Sequence, residues 1–310
     1  MNINTLTSTL DVPESVLSFP SMMTSGEKAL LFHLARDHFQ GTGVIVDAGL
    51  FLGASTEAFC RGLKANGIKT KKIVHAYDIA IWNSKGFDKY LQNAGVIEKI
   101  GQVDFKDGDN YQPLLEKLLE EHKDTIDFRI GDIVDQIRTN EDIEIAFYDL
   151  LKNYERDLAC FNALGPYYAA NKTIIVQQDY FFENAIDSKI RQEFLSPYFE
   201  FIGAVGSSGV FKCIEKIPST FFDQDPIKQL TVDEKIKLIK QAANRIPISK
   251  FQIYTALAVV GFMIHSGRKE EGISELQDIE KAMKYANLKP PRATKIIEKM
   301  KGKLEEAHRR

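Results

Sequence analysis

Cysteines are few in this chain, and no apolar run is long enough to span a membrane. The three cysteines among its 310 residues, Cys60, Cys160 and Cys213, are widely spaced and form no CxxC pair. They therefore indicate neither a disulfide framework nor a structural zinc site. The longest apolar stretch, residues 254–264, is shorter than the ~18 residues of a membrane span, and the N-terminus lacks the basic and apolar regions of a signal peptide. We expect a cytoplasmic protein without a membrane partner.

A strong charge of either sign is also missing. The formal net charge is -3 at pH 7 and the isoelectric point is near 6.1. Without a basic surface to neutralise phosphates, we expect no nucleic-acid partner. What is present is typical of a globular protein, with 44% hydrophobic and 27% charged residues. The length indicates one large domain with an accessory one.

Helical and extended patterns alternate through the first two thirds of the chain. A capping box at residues 24–27 predicts a helix over 25–40, and helices are also predicted over 55–65 and 152–164. Short apolar segments predict strands over 43–49, 72–78, 127–132, 143–149 and 172–180. Strands that alternate with helices imply a parallel sheet covered on both faces.

The end of this region departs from the alternation. Two strand-like segments, 199–205 and 210–215, flank Gly206-Ser207-Ser208-Gly209, which is typical of a hairpin turn. The expected fold class is therefore α/β, a Rossmann-like doubly wound sheet of about seven strands with a terminal antiparallel hairpin and an all-helical C-terminal region.

The remaining chain is predicted to be helical over 231–245, 249–265, 268–286 and 291–307. This divides the chain into an N-terminal helical segment (1–42), a Rossmann-like domain (43–218) and a C-terminal helical domain (219–310). The segment 79–108, which carries the only tryptophan, Trp82, is long for a connection in such a fold. It is either a wall or lid of a binding site or a plain surface insertion.

The strongest local signal is VDAGLFLGAST at residues 46–56, where a strand ends and a helix begins. Gly49 lets a ligand approach the backbone, and the following helix N-terminus offers free N–H groups. Asp78 ends the second strand and Asp132 follows the third. Because the carboxyl ends of parallel strands meet at one edge of a sheet, we expect Gly49, Asp78 and Asp132 around one adenosine-sized cleft.

The same stretch resembles the S-adenosylmethionine motif of class I methyltransferases, in particular the group of macrocin-type sugar O-methyltransferases and, more remotely, catechol O-methyltransferases. The resemblance covers roughly residues 24–217. It implies S-adenosylmethionine as cofactor. The residues implied to hold it are Asp47, Gly49 and Gly53 around the methionine moiety, Ser55 near its carboxylate, Asp78 at the ribose and Asp132 beside the adenine.

A second segment, Tyr148-Asp149-Leu150-Leu151-Lys152, resembles the family pattern in which an aspartate ends a strand and a basic residue follows three positions later. The resemblance implies Asp149 as a catalytic residue and metal ligand, and Lys152 as a candidate base. Leu151 replaces a second family aspartate, and Gln178-Asp179 stands where an acidic pair is expected. A Mg²⁺ site at Asp149, Asp179 and Gln178 is thus left open, because hard cations prefer carboxylates to a neutral amide.

We therefore expect an S-adenosylmethionine-dependent O-methyltransferase that acts on a hydroxyl of a sugar or another small metabolite. A homo-oligomer is left open, since the apolar helix over 249–265 could bury an interface. The alternative is a non-catalytic protein that keeps the fold as an interaction scaffold, motivated by Leu151 and Gln178. A nicotinamide-dependent oxidoreductase would share the glycine turn and the ribose acid, but the hairpin and the lack of GxGxxG disfavour it.

Overall fold

The computed structural model describes residues 1–68, 71–91, 100–101 and 103–308. Across these residues one seven-stranded sheet has the order β3-β2-β1-β4-β5-β7-β6. Its strands are β1 (Val44–Ala48), β2 (Val74–Asp78), β3 (Ile126–Ile130), β4 (Ile143–Tyr148), β5 (Ile174–Gln177), β6 (Phe199–Val205) and β7 (Ser208–Cys213). The first five are parallel, and β7 is antiparallel to both β5 and β6. The predicted fold class is confirmed.

The central strands are buried on both faces. Every residue of β1, β4 and β5 is buried, which explains their nearly continuous apolar sequences. Along β1, Val44 and Val46 pack into one apolar cluster and Ile45 packs into another, as expected from the alternation of side chains along a strand. Two core layers therefore enclose the sheet.

The strand register aligns the carboxyl ends of β2, β1 and β4. Ala48, the last residue of β1, pairs with Tyr77 of β2 and with Tyr148 of β4. Each of the next residues along these strands, Gly49, Asp78 and Asp149, therefore reaches the same edge of the sheet.

Helices cover the sheet and form the C-terminal region. Those up to the last strand are α1 (Ile3–Leu6), α2 (Glu14–Leu17), α3 (Ser25–His33), α4 (Ala54–Asn66), α5 (Ser84–Leu91), α6 (Gln112–Leu118), α7 (Ile133–Gln136), α8 (Tyr154–Leu164) and α9 (Ile186–Phe194). The later ones are α10 (Thr220–Asp223), α11 (Val232–Ala243), α12 (Lys250–His265), α13 (Lys269–Tyr285) and α14 (Pro291–His308). The described part of the chain also has four 3-10 turns, at Glu120–His122, Gly165–Tyr167, Ser196–Tyr198 and Pro226–Gln229.

A helix is present where it was predicted over 25–40, but its hydrogen-bonding type changes along its length. It starts with the expected capping box, in which the Thr24 side chain accepts from the Glu27 backbone and Glu27 reaches back to the Thr24 N–H. It is α-helical to His33 and continues as a π-helix over Leu34–His38.

The predicted hairpin is correct, but its turn is shorter than expected. Ser208 already pairs with Val205, and Gly209 pairs with Ala204 on one side and with Gln177 on the other. The turn is therefore only Gly206-Ser207, with Gly206 in the left-handed region at φ 58°. Ladder hydrogen bonds on both sides of β7 extend the strand into the Ser-Gly sequence that indicated a loop.

The four predicted C-terminal helices are confirmed as α11 to α14. Within the described residues, none of the helices is both long and apolar enough to cross a membrane. The predicted domain boundaries stay a prediction. Ile190 of α9 shares an apolar cluster with Ile239 of α11 and Val259 of α12, so apolar packing crosses the predicted boundary at residues 218–219.

Helices α6 and α9 are among those that the sequence patterns did not predict. In α9 the buried residues are mostly polar or charged, namely Ser188, Lys189, Arg191, Gln192 and Glu193. Ion pairs compensate part of this burial: Arg191 contacts Asp157 and Asp225, and Glu193 contacts Arg245. An apolar periodicity therefore does not reveal this helix.

Candidate functional site

Two adjoining clefts open at the carboxyl edge of the sheet. The first cleft has a volume of about 360 Å³, and its wall includes Gly49, Asp78 and Asp132. The second cleft has a volume of about 340 Å³, and its wall includes Ser55 and Asp179. Residues common to both walls are Met22, Gly49, Phe51, Asp149 and Lys152. The expected convergence of Gly49, Asp78 and Asp132 on one cleft is therefore what the structure shows.

Gly49 lies at the junction of the two clefts. Its φ of 97° is unfavourable for residues with a side chain, and its N–H donates to the Tyr77 carbonyl at 2.9 Å. A Cβ at this position would lie only 3.0 Å from the Asp149 carbonyl oxygen. The site therefore needs glycine for both its backbone conformation and its close approach to β4.

Asp78 is held by four hydrogen bonds from the protein. Its Oδ2 accepts from the N–H groups of Leu50 (2.6 Å) and Phe51 (3.0 Å). Its Oδ1 accepts from the Ala80 N–H (2.7 Å) and the Tyr111 hydroxyl (2.9 Å). These donors use about all the lone pairs of a carboxylate. A ligand hydroxyl would have to replace one of them, so Asp78 both fixes the turn after β1 and lines the first cleft.

Asp132 caps the short helix α7 and lines the first cleft. Its side chain accepts from the Val134 N–H at 3.0 Å, and the residue is exposed. Ile79 and Ile81 line the same cleft and remain 48% and 39% exposed. Apolar and acidic side chains therefore line the first cleft together.

Three further predicted residues lie in β1 and at the start of α4. Asp47 is fully buried, lines neither cleft, and accepts a hydrogen bond from Thr56 Oγ1 at 2.6 Å. Burial raises the pKa of Asp47 to about 7. Gly53 also lines neither cleft; it adopts φ 89° and packs against Leu119. Ser55 does line the second cleft, in the first turn of α4. Asp47 and Gly53 thus contribute to the structure around the helix start, and their predicted contact with the methionine moiety stays a prediction.

Lys152 connects two carboxylates where the clefts meet. Its Nζ lies 3.1 Å from Asp149 Oδ1 and 3.0 Å from Asp179 Oδ2. Burial lowers the pKa of Lys152, but the two carboxylates more than offset this effect and hold the pKa above its ordinary value. Burial raises the pKa of Asp149 to about 6, although Lys152 opposes the rise. The ion pairs stabilise a protonated lysine, which weakens the prediction that Lys152 is the base.

The three predicted metal ligands are engaged with other groups. Asp179 Oδ1 accepts from Ser207 Oγ at 3.1 Å, and Gln178 Oε1 accepts from Ser208 Oγ at 2.6 Å. The Lys152 ammonium lies between Asp149 and Asp179, where a shared cation would bind. Among the described residues, no group of three His, Cys, Asp or Glu side chains could hold a metal ion. The donor set therefore does not fit Mg²⁺, and the prediction of a magnesium site has no support.

The C-terminal helices hold the loop that carries Asp179. Phe182 packs against Phe251 of α12, with ring centroids 5.9 Å apart, and the Arg292 guanidinium of α14 lies 4.3 Å from the Phe182 ring centroid. Arg292 also pairs with Glu183 at 2.7 Å. Phe182 and Phe251 line the second cleft. The helical region is thus part of the site, which no local motif indicated.

The segment 79–108 contributes to the first cleft. Trp82 is buried and packs against Phe87 and Tyr111, with ring centroids 5.0 and 5.8 Å apart. Phe87 and Asn83 line the first cleft. Residues 92–99 and 102 of this segment lie outside the described residues. Its described part is a wall of the first cleft.

Two kinds of comparison with known proteins found nothing: no family model matches the chain, and no curated protein matches its sequence. Solved structures do resemble it. The O-methyltransferase NovP is 14% identical, with a TM-score of 0.48, over 63% of this chain and 83% of its own. Cofactor-bound Rv0187 from MTB is 13% identical, with a TM-score of 0.46, over 68% and 95%. The calicheamicin methyltransferase CalS11 is 15% identical, with a TM-score of 0.45, over 68% and 89%. Likeness at this distance concerns the fold alone and leaves the activity open.

Proposed function

We propose that this chain transfers a methyl group from S-adenosylmethionine to a hydroxyl group of a small molecule. The observation that supports this most is the first cleft, where Gly49, Asp78 and Asp132 converge at the carboxyl edge of a doubly wound sheet. Its volume of about 360 Å³ suits a ligand the size of a nucleoside with a short side chain.

Each part of the cofactor has a matching group in the first cleft or beside it. The Asp78 carboxylate would accept from the ribose hydroxyls, in exchange for one of its present donors. Asp132 would face the adenine amino group, with Ile79 beside the ring. The first turn of α4, at Ser55, offers backbone N–H groups to the methionine carboxylate. When bound, S-adenosylmethionine supplies a methyl group activated by a positively charged sulfur.

The acceptor would bind in the second cleft, beside the junction with the first. Besides Ser55, hydroxyl and carboxylate side chains line this cleft, which suits an acceptor with several hydroxyl groups, such as a sugar. They are Thr24, Glu27, Asp149, Asp179 and Ser207. A hydroxyl must lose its proton as its oxygen gains the methyl group. Asp149 is the candidate acceptor of that proton, because its pKa of about 6 lies close to neutral pH. Lys152 would hold the oxygen as its negative charge develops.

The test is calorimetric titration with S-adenosylmethionine and S-adenosylhomocysteine. We expect a dissociation constant in the micromolar range for both ligands. If the folded wild-type protein binds neither ligand at millimolar concentration, the proposal fails. Protein that binds the cofactor but methylates nothing in a metabolite extract would favour the non-catalytic scaffold instead.

A further inference from the structure

We propose that the Lys152 ammonium takes the place of a divalent metal ion at the junction of the two clefts. This inference rests on the proposed function for its role in methyl transfer, but not for its occupancy of the site. The residues predicted to bind Mg²⁺ contact other side chains instead, Asp149 and Asp179 with Lys152 and Gln178 with Ser208.

The two carboxylates are fixed in position before any ligand binds. Asp149 follows β4 directly, and its N–H donates to the Ala48 carbonyl of the neighbouring strand at 2.8 Å. Asp179 adopts a left-handed backbone at φ 61°, unusual for a residue other than glycine, and its carbonyl accepts from the Phe182 N–H at 2.9 Å. Backbone hydrogen bonds therefore hold the chain at both aspartates.

Lys152 reaches both carboxylates from a tight turn. Its backbone N–H donates to the Leu150 carbonyl at 2.7 Å, and Asn153 caps α8 immediately after it. The ammonium then lies 3.1 and 3.0 Å from Asp149 and Asp179, the distances of direct ion pairs. A divalent ion would need carboxylate oxygens at about 2.1 Å for Mg²⁺, so it would compete with the ammonium for the same oxygens and would be repelled by it.

The amide that would complete a metal site is also unavailable. Gln178 Oε1 lies 2.6 Å from Ser208 Oγ, and that hydroxyl lies 2.9 Å from Glu27 Oε1. These contacts tie Gln178 to β7 and α3 instead of to the space between the two carboxylates. Lys152 of the chain itself therefore supplies the positive charge between Asp149 and Asp179, where a metal ion would otherwise bind.

The arrangement leaves Lys152 able to act on an acceptor. An ammonium has three donors, and the two ion pairs described use two of them. The Lys152 side chain is 43% exposed and lines both clefts, so the third donor can reach an acceptor oxygen at the junction. In the proposed reaction the ammonium stabilises the developing oxyanion, the task that a bound metal ion performs as a Lewis acid. The methyl transfer would then need no metal.

The test uses Mn²⁺ as the probe and measures its binding by electron paramagnetic resonance. Four proteins are compared: the wild type, Asp149→Asn, Lys152→Met, which keeps a long unbranched side chain without charge, and the double variant with both changes. We expect the wild type to bind Mn²⁺ at least tenfold more weakly than Lys152→Met. The double variant should fall back to the wild-type level. Thermal melting of each protein confirms that it is folded.

Two results would overturn the inference. One is tight Mn²⁺ binding by the wild type that Asp149→Asn abolishes, because this would be a true metal site. The other is equal Mn²⁺ binding by the wild type and Lys152→Met, because then the lysine would not occupy the site. Titration of the wild type with S-adenosylhomocysteine separates this outcome from a failure of the proposed function, because it tests the cofactor cleft while Lys152 is unchanged.

Discussion

Replacing Asp78 with asparagine tests the cofactor cleft and can be predicted in some detail. The carboxylate accepts four hydrogen bonds, two at each oxygen, and both donors to Oδ2 belong to the turn that follows β1. Asparagine keeps one acceptor oxygen and turns the other position into a donor. Two of the four hydrogen bonds are therefore lost in either orientation of the amide.

Hydrogen bonds to a charged group contribute about 1.5–3 kcal/mol each, and the lower value applies to a half-buried carboxylate. We therefore expect Asp78→Asn to lower the free energy of unfolding by about 3 kcal/mol. In a chain of this length that change lowers the melting temperature by roughly 5 °C. Cofactor affinity should fall at least tenfold, because a tenfold change corresponds to only about 1.4 kcal/mol, one such hydrogen bond.

Tyr111→Phe is the matched control. It removes a single donor to Asp78 Oδ1 and leaves the carboxylate intact. We expect a loss of about 1.5 kcal/mol in stability and an unchanged or higher cofactor affinity, because one acceptor position becomes free for a ribose hydroxyl. Differential scanning fluorimetry and calorimetric titration with S-adenosylhomocysteine measure both quantities. Wild-type affinity in Asp78→Asn, or lost affinity in Tyr111→Phe alone, would refute this account of Asp78.

Three other predictions concern burial and backbone strain. Burial raises the pKa of Asp47 from 3.8 to about 7, so its contribution to stability is present below about pH 4 and is lost as the pH rises to 7. Asp47→Asn should reduce this loss of stability with pH, by at most about 4 kcal/mol, in urea melts between pH 4 and 8. The same dependence on pH in the wild type and the variant would contradict the prediction. Gly49→Ala should abolish cofactor binding. The control is Gly67→Ala, which has a similar φ of 85° and nothing within 4 Å of the new Cβ, and it should cost only about 1–2 kcal/mol of strain. Equal cofactor affinities of the two variants in titration would exclude a role for Gly49. A crystal structure at high resolution should show ordered water in the cavity of about 30 Å³ beside Arg191 and Gln177, because Arg191 Nη2 and Gln177 Oε1 are buried there without a protein partner; an empty cavity would contradict this.

The sheet could be predicted from the sequence because its central strands are buried on both faces. Such strands are continuous apolar segments, and the Gly-Ser turn marks the hairpin. Helix α9 could not be predicted from periodicity, since buried ion pairs such as Arg191 with Asp157 replace apolar contacts on its inner face. The buried face of α9 can be recognised only when its ion-pair partners, which lie far away in the sequence, are known.

In the candidate site, too, some features could be predicted from the sequence and others could not. Gly49, Asp78 and Asp132 could be predicted to converge because parallel strands place their carboxyl ends at one edge. The contact between Lys152 and Asp179 could not, because it requires the left-handed backbone of Asp179 and the turn before α8. The Tyr111 bond to Asp78 likewise joins residues 33 positions apart that share no motif.

The central claim is that one cleft at the carboxyl edge of the sheet holds an adenosine group. The most direct measurement is a crystal structure of the protein grown with S-adenosylhomocysteine. We expect the ribose hydroxyls on Asp78, the adenine beside Asp132 and Ile79, and the sulfur near Gly49. Ligand bound elsewhere, or no ligand density at saturating concentration with the first cleft open, would contradict the claim.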